Sequence, residues 1–172
     1  MRMTRIVWCC VAIGLFCAPA MPRTKGLSAA DRAFLRLAAD ADMTEAHVGQ
    51  MAERQSSRDS VKDFGKTIAK DHTDSYQELT ALARNTGAAI PKGIDVRKNG
   101  MIEQLTRLKG TRFDREFVQI EIRDQERAIA GFKREAAHGR DADLKAYAAR
   151  MLPVLENRLH ATEKLAGTEK RT

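Results

Sequence analysis

The chain has 172 residues, a formal charge of +7 and 5% aromatic residues. Ala, Leu, Glu, Lys and Arg dominate, proline is scarce and no alternating strand pattern occurs, which excludes a β-sandwich or barrel and points to an all-α domain. All three cysteines, Cys9, Cys10 and Cys17, lie near the N-terminus, so the rest of the chain is without disulfides, thiolate metal ligands or a cysteine nucleophile.

The N-terminus reads as an export signal over residues 1–20. Arg2 and Arg5 precede an apolar run from Ile6 to Cys17, and Ala18-Pro19-Ala20 offers small residues to a signal peptidase. The run is short of the ~20 residues that span a bilayer, so cleavage near Ala20 is expected, with an uncleaved anchor as the alternative. A lipoprotein signal ending at Cys17 is discounted because bulky Phe16 precedes it. Cleavage removes Arg2 and Arg5 and leaves a charge of +5, spread among acids along every helix. An exported chain without an aromatic-basic stripe is not expected to bind nucleic acid. Peripheral attraction to anionic envelope surfaces is compatible with the charge.

Residues 21–27 read as a flexible lead. Ser28 with Asp31 three on resembles a capping box and starts the first helix, whose inward face is Phe34, Leu37, Ala38, Ala41, Val48, Met51 and Ala52, with Glu45 at the edge of the stripe. Ser56-Ser57 marks a break. The second helix carries Val61, Phe64, Ile68, Tyr76, Leu79 and Leu82 on one face. His72 occupies that stripe where a leucine is expected, with Asp71 beside it. Gly87 suits a left-handed C-cap, and Ala88 to Arg97, containing Pro91 and Gly93, reads as a long crossover. Met101 to Lys109 forms a short amphipathic element ended by Gly110.

Thr111 with Asp114 suggests the start of the next long helix, with Phe113, Phe117, Ile120, Ala128 and Phe132 on its face and Glu121, Asp124 and Gln125 at mid-length. His138-Gly139 ends it. Asp141 caps the last helix, whose face is Leu144, Tyr147, Ala148, Met151, Leu155, Leu159, Thr162 and Leu165, interrupted by Pro153, which should kink it. Residues 167–172 form a polar tail. Four long amphipathic segments and one long crossover predict an antiparallel four-helix bundle over residues 28–166, with a short extra helix in the crossover.

With these residues in place, the chain resembles a bacterial exported family known as domain of unknown function 4142. The resemblance rests on Val61-Lys62-Asp63-Phe64-Gly65 through Lys70-Asp71-His72, then Leu79, Leu82-Ala83, Gly87, Phe113-Asp114, Phe132, Asp143-Leu144-Lys145 and Leu152-Pro153-Val154-Leu155-Glu156. It implies a ferritin-like bundle, and the family's frequent label, predicted outer membrane protein, implies an envelope location. Where the family usually has histidines, this chain has Gln125 and Arg158, and a histidine stands instead at His160.

Ferritin-like bundles hold metal through inward Glu and Glu-x-x-His pairs. The resemblance therefore implies Glu45, His72 and Asp124 as candidate ligands for iron, manganese or zinc, with Asp71 and Glu121 nearby; none of these residues belongs to a Glu-x-x-His pair. The other expectation is a polar seam in the core comprising Glu45, Asp71, His72, Glu121, Asp124, Gln125 and Arg158. In it, Arg158 would neutralise Glu45 or Asp124, and His72 would bridge a carboxylate and the hydroxyl of Tyr76 or Thr162. His47, His138 and His160 are single histidines for which surface positions are the default. No serine sits in a His-Asp arrangement, and no glycine-rich phosphate loop occurs. The expected function is a non-enzymatic exported binding or stress-related module; a metal-binding or oxidase relative and a charge-driven surface binder are the alternatives.

Overall fold

A computed structural model describes residues 26–169. The expected signal segment, with the three cysteines, lies outside the described residues, among which five α-helices form: α1 (Ala29–Gln55), α2 (Asp59–Thr86), α3 (Asn99–Thr106), α4 (Gly110–His138) and α5 (Ala142–Glu169). A 3-10 turn, Val96–Lys98, precedes α3, and no strand occurs among the described residues. None of the described helices is long and apolar enough to cross a membrane.

The helix ends follow local chemistry. Ser28 and Asp31 form a reciprocal capping box at α1: the Asp31 N–H donates to Ser28 Oγ (3.1 Å) and the Ser28 N–H to Asp31 Oδ2 (3.2 Å). Gly87 closes α2 in the left-handed region at φ 67°, and Asp141 Oδ1 accepts the N–H groups of Asp143 and Leu144 at the start of α5. The helix of α5 continues through Pro153.

The start of α4 departs from expectation. Thr111 is an exposed residue inside the helix, which begins at Gly110 (φ 59°), and its N-cap Lys109 makes no side-chain bond. Asp114 is fully buried and accepts from Ser57 Oγ at 2.7 Å instead of capping. A tertiary partner outcompetes the local cap.

Helices α1 and α2 pack closely, as do α4 and α5, and α1 also lies against α4. Ser57–Asp114 brings the α1–α2 turn to the start of α4, while the Arg140 N–H on Asp31 Oδ1 (2.9 Å) brings the α4–α5 turn to the start of α1. The α1–α2 contact is tight because glycine faces glycine: a Cβ on Gly65 would lie 2.7 Å from the Gly49 carbonyl oxygen.

Two apolar clusters form the core. One gathers Phe34, Leu35, Leu79, Phe132, Leu144 and Tyr147, with the Phe34 and Phe132 rings edge to face at 5.0 Å. The other gathers Val48, Met51, Val61, Leu105, Phe113 and Phe117. On every long helix a polar interval separates the two: Asp42 and Glu45 on α1, His72 on α2, Glu121 and Gln125 on α4, Arg158 and Thr162 on α5, all buried. One face residue is placed differently from the sequence pattern. Leu37 is 43% exposed, while Leu35 and Ala39 take the buried positions, because Leu37 borders an opening between α1 and α4.

Candidate functional site

The polar layer is built by one inward residue per helical turn where leucine would otherwise continue the stripe. His72 stands at its centre. Its Nδ1 lies 2.8 Å from Asp42 Oδ1 and its Nε2 lies 2.8 Å from Arg158 Nη1. A guanidinium has only donors, so Nε2 must offer its lone pair to Arg158, and Nδ1–H donates to Asp42. The imidazole is therefore a neutral bridge between a carboxylate and a guanidinium. Arg158 Nη2 donates to Asp71 Oδ2 at 3.0 Å, where Asp71 reaches the surface.

The second oxygen of Asp42 accepts from Ser75 Oγ at 2.8 Å, and Ser75 Oγ lies 2.7 Å from Tyr147 Oη. Since the Ser75 proton is committed to Asp42, the Tyr147 hydroxyl donates to Ser75. Burial, and after it the charge of Asp42, raises the Tyr147 hydroxyl further above its ordinary value, keeping it protonated. The serine, aspartate and histidine do not make a nucleophile. In a catalytic triad the imidazole stands between serine and carboxylate, whereas here the carboxylate stands between them.

Glu45 and Glu121 meet on the other side of the layer. Burial first, and the Glu121 charge second, push the Glu45 carboxyl well above the usual range. Burial raises Glu121 as well, while hydrogen bonds from Glu45 and Gln125 favour its ionised form. A proton held by Glu45 and shared with Glu121 supplies a bond to buried oxygens, Glu45 Oε2 and Glu121 Oε1, that otherwise lack partners. Gln125 Nε2 donates to Glu121 Oε2 (3.1 Å) and approaches Thr162 Oγ1 (3.1 Å), whose hydroxyl bonds the Arg158 carbonyl at 2.9 Å.

Of the residues expected in the seam, Glu45, His72, Glu121, Gln125 and Arg158 lie in the buried layer, and Asp71 and Asp124 lie at its rim. The expected pairings are different. Arg158 engages His72 and Asp71, not Glu45 or Asp124, and His72 bridges Asp42 and Arg158, not Tyr76 or Thr162. Tyr76 instead donates to the Pro91 carbonyl at 2.6 Å. Asp124 accepts from Lys98 Nζ at 3.1 Å and from Arg127. Asp42, Ser75 and the Tyr147 hydroxyl were not anticipated. For Asp42 a signal existed: it follows Ala38 and Ala39 at helical spacing, on the inward stripe.

This donor set does not fit a metal ion. Both ring nitrogens of His72 are occupied, a guanidinium stands against the nitrogen that would coordinate, and Asp124 is held by two cations. Among the described residues no group of three or more His, Asp or Glu side chains could hold a metal ion.

Beside the layer opens a cavity of about 800 Å³, walled by α1 from Ala33 to Glu45, by the segment from Pro91 through the 3-10 turn to Met101 of α3, and by α4 from Ile120 to Ala128; His72, Leu155 and Arg158 also reach it. The crossover is fastened across it at three points: Tyr76 to the Pro91 carbonyl, the Asp95 N–H to Asp40 Oδ1 (2.9 Å), and Lys98 to Asp124.

No curated protein and no solved structure matches the chain. A family model does, over residues 17–165, and with it the sequence pattern built on Asp71-His72 and Leu152-Pro153-Val154-Leu155 acquires its context. The chain belongs to the family described as domain of unknown function (DUF4142).

Proposed function

We propose that this is an exported, non-enzymatic binding protein of the periplasm or cell envelope, folded as an antiparallel four-helix bundle of ferritin-like type over residues 28–166. The contacts of Ser57 with Asp114 and of Arg140 with Asp31 support alternating helix directions. The export reading rests on the sequence of residues 1–20.

The observation that carries the functional reading is the state of His72. Its lone pair is engaged by Arg158 and its N–H by Asp42, so the layer has no free base and no open ligand position. What remains accessible is the cavity, whose volume suits a small molecule. The layer then serves as a rigid, hydrogen-bonded floor.

Elemental analysis of the protein purified without chelator tests this. Iron, manganese and zinc are expected well below one per chain in wild type and in His72→Ala alike. Stoichiometric metal that disappears in His72→Ala would overturn the reading in favour of a ferritin-like metal site.

A further inference from the structure

The cavity presents an uneven wall. Six cationic side chains line it against four carboxyls. Three of those cations, Arg97, Lys98 and Arg127, are already tied to Asp95 or Asp124. Arg123 is only loosely paired, 4.0 Å from Glu116, and Arg158 is committed to the buried layer. Arg36 is exposed at the rim and has no ion-pair or hydrogen-bond partner among the described residues.

Next to Arg36 stands Leu37. It is one of three large apolar residues left exposed among the described residues, and another, Val96 (77% exposed), lies in the crossover between the cavity-lining residues Asp95 and Arg97. Of the three, Leu37 lines the cavity, and an apolar side chain left exposed at a cavity mouth suits the apolar body of a ligand. Inward of Leu37 the wall is apolar, with Ala41, Met101, Ile120, Ala128 and Leu155. At the floor, burial and the neighbouring Glu121 raise the Glu45 carboxyl and so disfavour a negative charge there.

We propose that this cavity binds an organic carboxylate with an apolar body, its head paired with Arg36 at the rim and its body lying along Leu37, Ile120 and Leu155. An apolar surface excludes water from the body while a guanidinium recognises the carboxylate in a forked pair. This rests on the binding reading above and names the chemical class of its ligand.

The test is calorimetric titration of the protein with decanoate, kept below its micelle concentration, and with decanol as the uncharged analogue. Saturable one-to-one decanoate binding is expected, weakened about fivefold in Arg36→Gln. Decanol is expected to bind more weakly and to be indifferent to that change. Ala128→Trp, which fills the cavity, is expected to abolish binding. Leu37→Glu, at an exposed position that leaves folding intact, is expected to weaken it. Equal affinity for decanoate and decanol, or decanoate binding unchanged in Arg36→Gln, would overturn the anionic class while leaving the cavity as the binding seat. Binding that survives both Ala128→Trp and Leu37→Glu would place the ligand elsewhere and overturn both readings. Absence of decanoate binding to the folded protein would overturn the carboxylate proposal alone, since the metal analysis tests the broader reading.

Discussion

Arg158 donates to the Nε2 lone pair of His72 across 2.8 Å in the buried centre of the fold. A guanidinium therefore stands where an inward histidine would otherwise meet a cation, and it fixes the tautomer that sends Nδ1–H to Asp42. Truncation to Ala strips the imidazole of its donor and opens a void beside it. Arg158→Ala is expected to cost about 2–4 kcal/mol. The Asp71 contact adds little to this, because that carboxylate is 43% exposed. Arg158→Met, which keeps the packed stem, should lose less. Thermal unfolding reads the difference, with a midpoint drop of about 5–10 °C for the Ala variant; an unchanged midpoint would remove the layer from any account of stability.

Glu45 makes stability depend on pH. Its folded-state carboxyl is raised well above the ordinary value, so the folded protein keeps a proton that the unfolded chain has already released. Its contribution is fully present below the ordinary glutamate range and is lost as pH rises through the folded value. The neutral isostere Glu45→Gln can still donate to Glu121, so it should be the more stable protein on the alkaline side and show the flatter profile. Midpoints taken between roughly pH 4 and pH 9 check this. Parallel profiles for the two proteins would contradict a protonated Glu45.

A second carboxyl titrates at the end of the molecule where α1 meets the α4–α5 turn. Burial first, then the negative charge of Asp31, raises Glu135 from 4.5 to about 7. Asp31 itself, although burial opposes it, is held below its ordinary value by the Arg140 N–H and the Ser28 cap. Stability from this corner is therefore present below about pH 4.5 and declines as pH rises toward 7. Glu135→Gln should gain about 1–2 kcal/mol above that range, after allowing for solvent screening. Denaturant unfolding on both sides of neutrality measures it, and a gain of equal size in acid would contradict the titration.

Gly65 tests the closeness of α1 and α2. A Cβ there would lie 2.6 Å from the Ala52 Cβ and 2.7 Å from the Gly49 carbonyl oxygen. Alanine has the better helix propensity by about 1 kcal/mol, yet backbone on the opposite helix cannot move aside cheaply. Gly65→Ala is expected to destabilise by about 1–3 kcal/mol, whereas Ala at Gly100, which faces open space, should be neutral or favourable. A stabilised Gly65→Ala in urea unfolding would show that the helices stand farther apart.

Features set by contacts within a helical turn were legible in the sequence: the Ser28–Asp31 box, the Gly87 terminus, the Asp141 cap and the apolar stripes. His72 was legible by its place on the α2 stripe, while Gln125 and Arg158 were singled out through the family's histidine positions and Asp42 was missed. Choosing their partners required the tertiary structure. With 3.6 residues per turn, a rotation by one residue swings a side chain by about 100°, enough to exchange Glu45 for Asp42 as the neighbour of His72. The same uncertainty misplaced Leu37, which the pattern turns inward and the fold leaves at the mouth of the cavity. It also hid the capping failure of Thr111, because Asp114 binds Ser57, 57 residues away in the chain. Local hydrogen bonding determined where the helices begin and end, while the relative rotation of whole helices decided which buried charges meet.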